Sequence, residues 1–171
     1  RSDSVFTEKN LNAYISNSII SNWDLEAFTD YKGATLHYRD VARRIAKLHI
    51  MFEEAGLKPG DRIALCGKNS SNWGTACLAA LTYGAVVVPI LHEFKSDNIH
   101  HIINHSETKL FFAGDQIWEN LNEASMPNVE GIITLDEFQL VISRNEKLTY
   151  AREHLNELFG RKYPKEFTKA D

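Results

Sequence analysis

Four short apolar segments, Arg62–Cys66, Ala85–Ile90, Lys109–Ala113 and Gly131–Leu135, follow one another with a helix-patterned stretch between each pair. Those stretches are Trp73–Tyr83, Ser96–Asn104 and Asp115–Ala124. Strands that alternate with helices build βαβ units, and right-handed crossovers then give a parallel sheet with helices on either side. The Val86-Val87-Val88 run lacks polar alternation, as expected of a strand covered on both faces. The fold class is therefore α/β, an open and mostly parallel sheet with helices on both faces. The helix after Cys66 carries Gly74, Ala76, Cys77, Ala79 and Ala80, small residues that let it approach the sheet closely.

The flanking segments add smaller elements. Leu11, Tyr14, Ile15 and Ile19 recur at helical spacing and predict an amphipathic helix over 6–20. Next comes a small hairpin, with strands Trp23–Thr29 and Ala34–His37 around Asp30-Tyr31-Lys32-Gly33. A helix over Tyr38–Ala55 follows from the stripe Tyr38, Val41, Ile45, Leu48, Phe52 and Ala55. Gly56 ends it in the left-handed conformation, and Leu57 folds back over its last turn. Near the end, Leu148, Ala151, Leu155 and Leu158 share one face of a helix over Asn145–Phe159. Residues 1–160 thus form one α/β unit, and 161–171 are expected to be an extended or disordered tail.

Composition narrows the function classes. The chain has 171 residues, 43% of them hydrophobic and 25% charged, enough for one core-bearing unit. No apolar run approaches the roughly 20 residues that span a bilayer. A net charge of −4 argues against a nucleic-acid footprint, which needs a basic excess. Cys66 and Cys77 fall on expected buried faces with no disulfide spacing, which points to a reducing cytoplasm.

Several short motifs invite chemistry and fail on inspection. Gly67-Lys68-Asn69-Ser70 lies between a strand and a helix, yet Asn69 stands where a phosphate-binding loop needs Ser or Thr. An ordinary helix cap at Asn69 or Ser70 accounts for it. His101 and His105 are four residues apart, but Ile102 replaces the glutamate of a zinc-protease helix, so a solvated face is expected. His92 and His100 are read as surface residues. Trp73 and Phe94 suit either a substrate pocket or core packing, and the basic cluster Arg161, Lys162, Lys165 and Lys169 suits a solvated linker. No catalytic, cofactor-binding or metal-ligating residue is named on this basis.

From Leu36 to Pro89 stand an aromatic-led helix, Gly56-Leu57-Lys58-Pro59-Gly60-Asp61, a short apolar strand, an Asn69-Ser70 helix start and Gly84-Ala85-Val86-Val87-Val88-Pro89. This series resembles the N-terminal region of adenylate-forming (AMP-binding) enzymes, the acyl-CoA synthetases and their relatives. Likeness around Asp30-Tyr31 and His92-Glu93-Phe94 is closest to long-chain fatty acid CoA ligases. One departure is His37, where the family usually has a capping Thr or Ser. The resemblance implies that residues 1–160 are the N-terminal subdomain of an AMP-binding domain. The complete enzyme would use ATP and Mg²⁺ to make an acyl adenylate, and the CoA thiol would then displace AMP. It would be a cytoplasmic ligase of lipid metabolism, with a fatty acid as its substrate and peripheral membrane contact as an option. The family's Ser/Thr/Gly-rich loop ending in Lys does not occur in the sequence. The resemblance therefore implies a fragment, inactive alone, that binds none of these cofactors. Its partner would be the remainder of the polypeptide, with apolar surface and self-association expected around Leu148, Ala151, Leu155, Leu158, Tyr163 and Phe167. An adenylation domain of a peptide synthetase and a self-contained, non-catalytic α/β binding module are the alternatives.

Overall fold

The computed structural model describes residues 26–29 and 35–169. The helix expected over 6–20 and the turn at 30–33 lie outside them. Strands β1 (Glu26–Thr29) and β2 (Thr35–His37) pair antiparallel, with Thr29 opposite Thr35, as the hairpin reading requires.

Helix α1 (Tyr38–Glu54) follows directly. Its first turn is held from within, because the Asp40 carboxylate reaches back to accept from the His37 backbone N–H at 3.1 Å. That contact offsets the missing Ser or Thr. At the other end, Gly56 has φ +79°, its N–H donates to Glu53 O, and the Leu57 N–H donates to Phe52 O, each at 3.0 Å. These two bonds make a Schellman motif, and Leu57 is buried as expected.

The main sheet contains β3 (Arg62–Cys66), β4 (Val86–Ile90), β5 (Leu110–Ala113), β6 (Gly131–Thr134) and β7 (Leu140–Ser143) in the order β4-β3-β5-β6-β7. The first four are parallel, and β7 runs antiparallel to β6. Connecting helices are α2 (Ser71–Tyr83), α3 (Ser96–His105) and α4 (Asp115–Trp118). Alternate strand residues enter two cores. Ile63, Leu65, Leu110, Phe112, Ile133 and Leu135 meet α1 and α2 on one face. Ala64, Cys66, Phe111, Ala113 and Ile132 meet α3 on the other. Phe112 anchors the first core, edge-on to Phe52 and to Phe138 at centroid distances of 6.2 and 6.1 Å. Burying each such side chain contributes about 1.5–3 kcal/mol.

Several sequence expectations are corrected. Strand β4 is an edge, so the valine run is not covered on both faces: Val86 is 47% exposed. Edge placement also tolerates Pro89, which has no N–H to donate. The helix expected to reach Ala124 stops at Trp118, since the Asn120 side chain donates to Gln116 O and Asn122 caps a 3₁₀ turn at Glu123–Ser125. Strand β7 was not anticipated.

The expected single helix over Asn145–Phe159 is two, α5 (Glu146–Glu153) and α6 (Leu155–Lys162), broken at His154 (φ −109°, ψ 22°). The tail is not extended or disordered throughout, because α6 runs to Lys162 and α7 (Lys165–Thr168) follows. Phe159, Tyr163 and Phe167 form a mutual aromatic cluster, and Phe159 packs on Ala46 and Ile50, a second apolar face of α1. Arg43 fastens this end by donating to the carbonyls of Phe167 and Lys169 at 2.8 and 2.9 Å. Consequently Leu148 and Ala151, expected at an exposed interface, are fully buried, and Leu155, Leu158, Tyr163 and Phe167 are half-buried.

One residue joins two helix ends. The Asn145 side-chain oxygen accepts from the N–H groups of Lys147 and Leu148 at the start of α5, while its amide donates to Ala55 O at the end of α1 at 2.9 Å.

Candidate functional site

Strand order locates the first concavity to consider. From β3 the chain passes through α2 to β4 at the edge, whereas from the neighbouring β5 it passes the other way, through α4 towards β6. Adjacent strands whose connections diverge leave a crevice beyond their carboxyl ends, the usual ligand position in open α/β sheets. Here β3 and β5 are each followed directly by a glycine, Gly67 and Gly114. Their backbones touch: the Gly114 N–H donates to Cys66 O at 2.9 Å, and a Cβ on Gly67 would lie 2.8 Å from Leu135 Cδ1.

This floor opens into a cavity of 320 Å³ whose walls include Lys68, His92, Asp115, Ile117, Leu135 and Asp136. Asp136 hydrogen-bonds to the Asp115 side chain; that bond, burial and the Asp115 charge all raise the Asp136 carboxyl above its ordinary value. The two carboxyl groups present a polar, acidic rim beside the apolar Ile117 and Leu135. Neither aspartate, nor Gly114, emerged from the sequence as a site residue. The readable signal was the pair of strand-ending glycines, in Cys66-Gly67-Lys68 and Ala113-Gly114-Asp115.

Residues singled out from the sequence fall in different places. Ser70, not Asn69, caps α2, accepting from the Trp73 N–H at 3.1 Å. Trp73 is half-buried against the first core and also borders a 330 Å³ recess with Asn69, Pro89 and Leu91. Phe94 is 40% exposed in a separate 450 Å³ opening, so the two aromatic residues do not share one pocket. His101 and His105 stack on an exposed face at 5.9 Å, and no group of three potential metal ligands forms among the described residues. His100 is not a surface residue: it is buried, and its Nε2 accepts from the Asn122 N–H at 3.1 Å. His92 is half-buried with Nε2 3.2 Å from Glu93 Oε1. In the basic cluster, Lys162 bonds Glu53 at 2.6 Å and Arg161 pairs with Glu157.

Cys66 lies behind the crevice floor, where burial and the nearby Glu93 push its thiol up to about 11. Burial also raises the half-buried Cys77. Such thiols are poor nucleophiles near neutrality.

The fold and its crevice agree with sequence comparison. The pattern of the AMP-binding enzyme family matches residues 21–166. The chain belongs to that family. Among its relatives, a Bacillus subtilis (strain 168) protein provisionally described as acyl-CoA ligase YdaB is 38% identical over 89 residues, 52% of this chain and 18% of that protein. Fatty acid–[acyl-carrier-protein] ligase ScoC of Streptomyces coeruleorubidus is 29% identical over 106 residues, covering 62% of this chain and 20% of its own length. The chain therefore spans about a fifth of these curated relatives. A solved long-chain-fatty-acid-CoA ligase (FadD1) from Archaeoglobus fulgidus superposes on 84% of this chain and 29% of its own, with a TM-score of 0.66 at 20% identity. Nonribosomal peptide synthetases also share the fold. No helix among the described residues is long and apolar enough to cross a membrane.

Proposed function

We propose that this chain is the N-terminal part of a cytoplasmic ATP-dependent ligase that activates long-chain fatty acids as acyl adenylates and transfers them to CoA. The observation that carries the reading is the family match over 21–166, and similarity to a fatty acid ligase supports the acyl class. In such a reaction a carboxylate oxygen attacks the α-phosphorus of ATP and pyrophosphate departs. The thiol sulfur then attacks the acyl carbon and AMP leaves, so the thioester is formed at the expense of one phosphoanhydride.

The residues that line the crevice do not fit the triphosphate. At the crevice the Asp115–Asp136 pair faces Lys68, which stands exposed, and like charge repels phosphate. No step at phosphorus is assigned to this chain's side chains. Their part is architectural: the sheet holds the glycine floor and the apolar Ile117–Leu135 wall in fixed relation. Contacts to the triphosphate and Mg²⁺ of ATP are assigned, in this reading, to the remainder of the polypeptide.

The test is AMP release by the complete reading-frame product, with fatty, aromatic and amino acids, each with and without CoA. AMP formation with fatty acids that CoA carries through to a thioester is expected. Turnover of amino acids alone, or an adenylate that CoA does not discharge, assigns the chain to a peptide synthetase-type activating domain instead. The 171-residue chain by itself should show no acid-dependent exchange of pyrophosphate into ATP, and exchange by it would overturn the division of labour.

A further inference from the structure

A second concavity among the described residues is larger than the crevice. A cleft of 730 Å³ opens between α1, the β6–β7 turn and the α5–α6 junction, within the size range of small-molecule sites. Three cations from distant parts of the sequence line it: Arg44 and Lys47 on α1 and Arg152 on α5. All three are half-buried.

Their hydrogen-bond partners are neutral. Arg44 Nη1 donates to Asn72 Oδ1 at 2.6 Å, Lys47 Nζ to Asn156 Oδ1 at 3.1 Å, and Arg152 Nε to Phe138 O at 3.0 Å. Lys47 also lies 5.2 Å from the centre of the Phe159 ring. Its ammonium is held below the usual lysine value by burial first, and then by the positive charges of Arg44, Arg152 and Arg43. Acidic residues do line the same cleft, but Asp136, Glu137, Glu153 and Glu157 are exposed at its rim. Glu157 is engaged by Arg161, Glu137 accepts from Gln139, and Asp136 bonds Asp115.

Half-buried cations that repel one another and bond only neutral oxygens are an incomplete electrostatic arrangement. A compact oxyanion completes it, since guanidinium forks match phosphate and an ammonium supplies a third point of charge. We propose that this cleft binds a phosphate-class oxyanion, free or esterified, through Arg44, Lys47 and Arg152. The site is separate from the crevice and does not depend on the ligase reading.

The test uses the 171-residue chain at low ionic strength, titrated calorimetrically with inorganic phosphate, glycerol phosphate and acetate. Phosphate should saturate one site, and Lys47→Met and Arg152→Gln should each weaken it about tenfold or more. Tighter binding of the ester than of the free ion marks an esterified ligand, and equal binding marks the ion itself. As a check independent of variant folding, phosphate should slow acetylation of Lys47 in the wild-type chain, read by mass spectrometry. Absence of saturable binding, absence of protection at Lys47, or acetate binding as tightly as phosphate overturns the proposal.

Discussion

The crevice at the strand ends and the cleft beneath α1 share a wall, yet they are made in opposite ways. Backbone makes the crevice: two glycines, a strand-to-strand hydrogen bond and a diverging chain path. Side chains make the cleft, from residues as far apart as Arg44 and Arg152. A backbone-built site survives wide sequence change, because topology alone places it. A side-chain-built site depends on each residue and is free to differ between relatives with one fold.

That contrast can be broken or sharpened by substitution. The largest effect should come from Phe112→Ala, which removes the ring packed on both Phe52 and the cleft-lining Phe138 and should cost about 3–5 kcal/mol in urea unfolding. A loss below about 1 kcal/mol would mean the two concavities do not rest on a common core.

Asn72→Ala comes next. Its amide donates to Leu135 O at 2.7 Å and Asp136 O at 2.9 Å while its oxygen receives Arg44, so this one side chain is the shared wall. Its loss should cost about 1–3 kcal/mol. Backbone amide shifts at residues 135–136 and the Arg44 side-chain signal should move together. Movement of only one would separate the sites.

Gly67→Ala should act on the crevice alone, because the added methyl meets Leu135 Cδ1, the far end of a buried side chain. A loss of about 1 kcal/mol is expected, with the Lys47 environment unchanged.

The smallest effect is electrostatic. The Asp136 carboxyl is raised in the folded chain, so the folded state binds this proton more tightly than the unfolded state does. Its contribution to stability is fully present below the ordinary value of 3.8 and is lost as pH rises through the raised folded value. Asp136→Asn removes that loss. The variant should gain at most about 0.5 kcal/mol at neutral pH, after screening at an exposed site. Equal gains at pH 3 and pH 7 would show that the Asp136 carboxyl is not raised in the folded chain.

What the sequence made legible follows the same division. The parallel strands β3 to β6 were readable because each carries a continuous apolar run bounded by turn residues, and α1 because its stripe closes on Gly56. Strand β7 was not, since Leu140–Ser143 is short and only half-buried on β6. The ends of α4 were lost to Asn120 and Asn122, whose side chains compete with the helix for backbone groups. Charge alternation in 161–169 concealed the spacing of Phe159, Tyr163 and Phe167, which docks the end of the chain on α1. The glycines that follow β3 and β5 were a local signal of the crevice that the sequence reading passed over, whereas nothing local links Arg44 to Arg152.

Asn145, which finishes α1 and begins α5 with one amide group, has a dynamic consequence. Helix ends ordinarily fray one at a time, but neither of these can open without releasing its hold on the other. The amides of Leu57 and Leu148, some ninety residues apart, should therefore exchange with solvent hydrogen in a single event, and the segment that begins with α5 opens as one cooperative unit with α1.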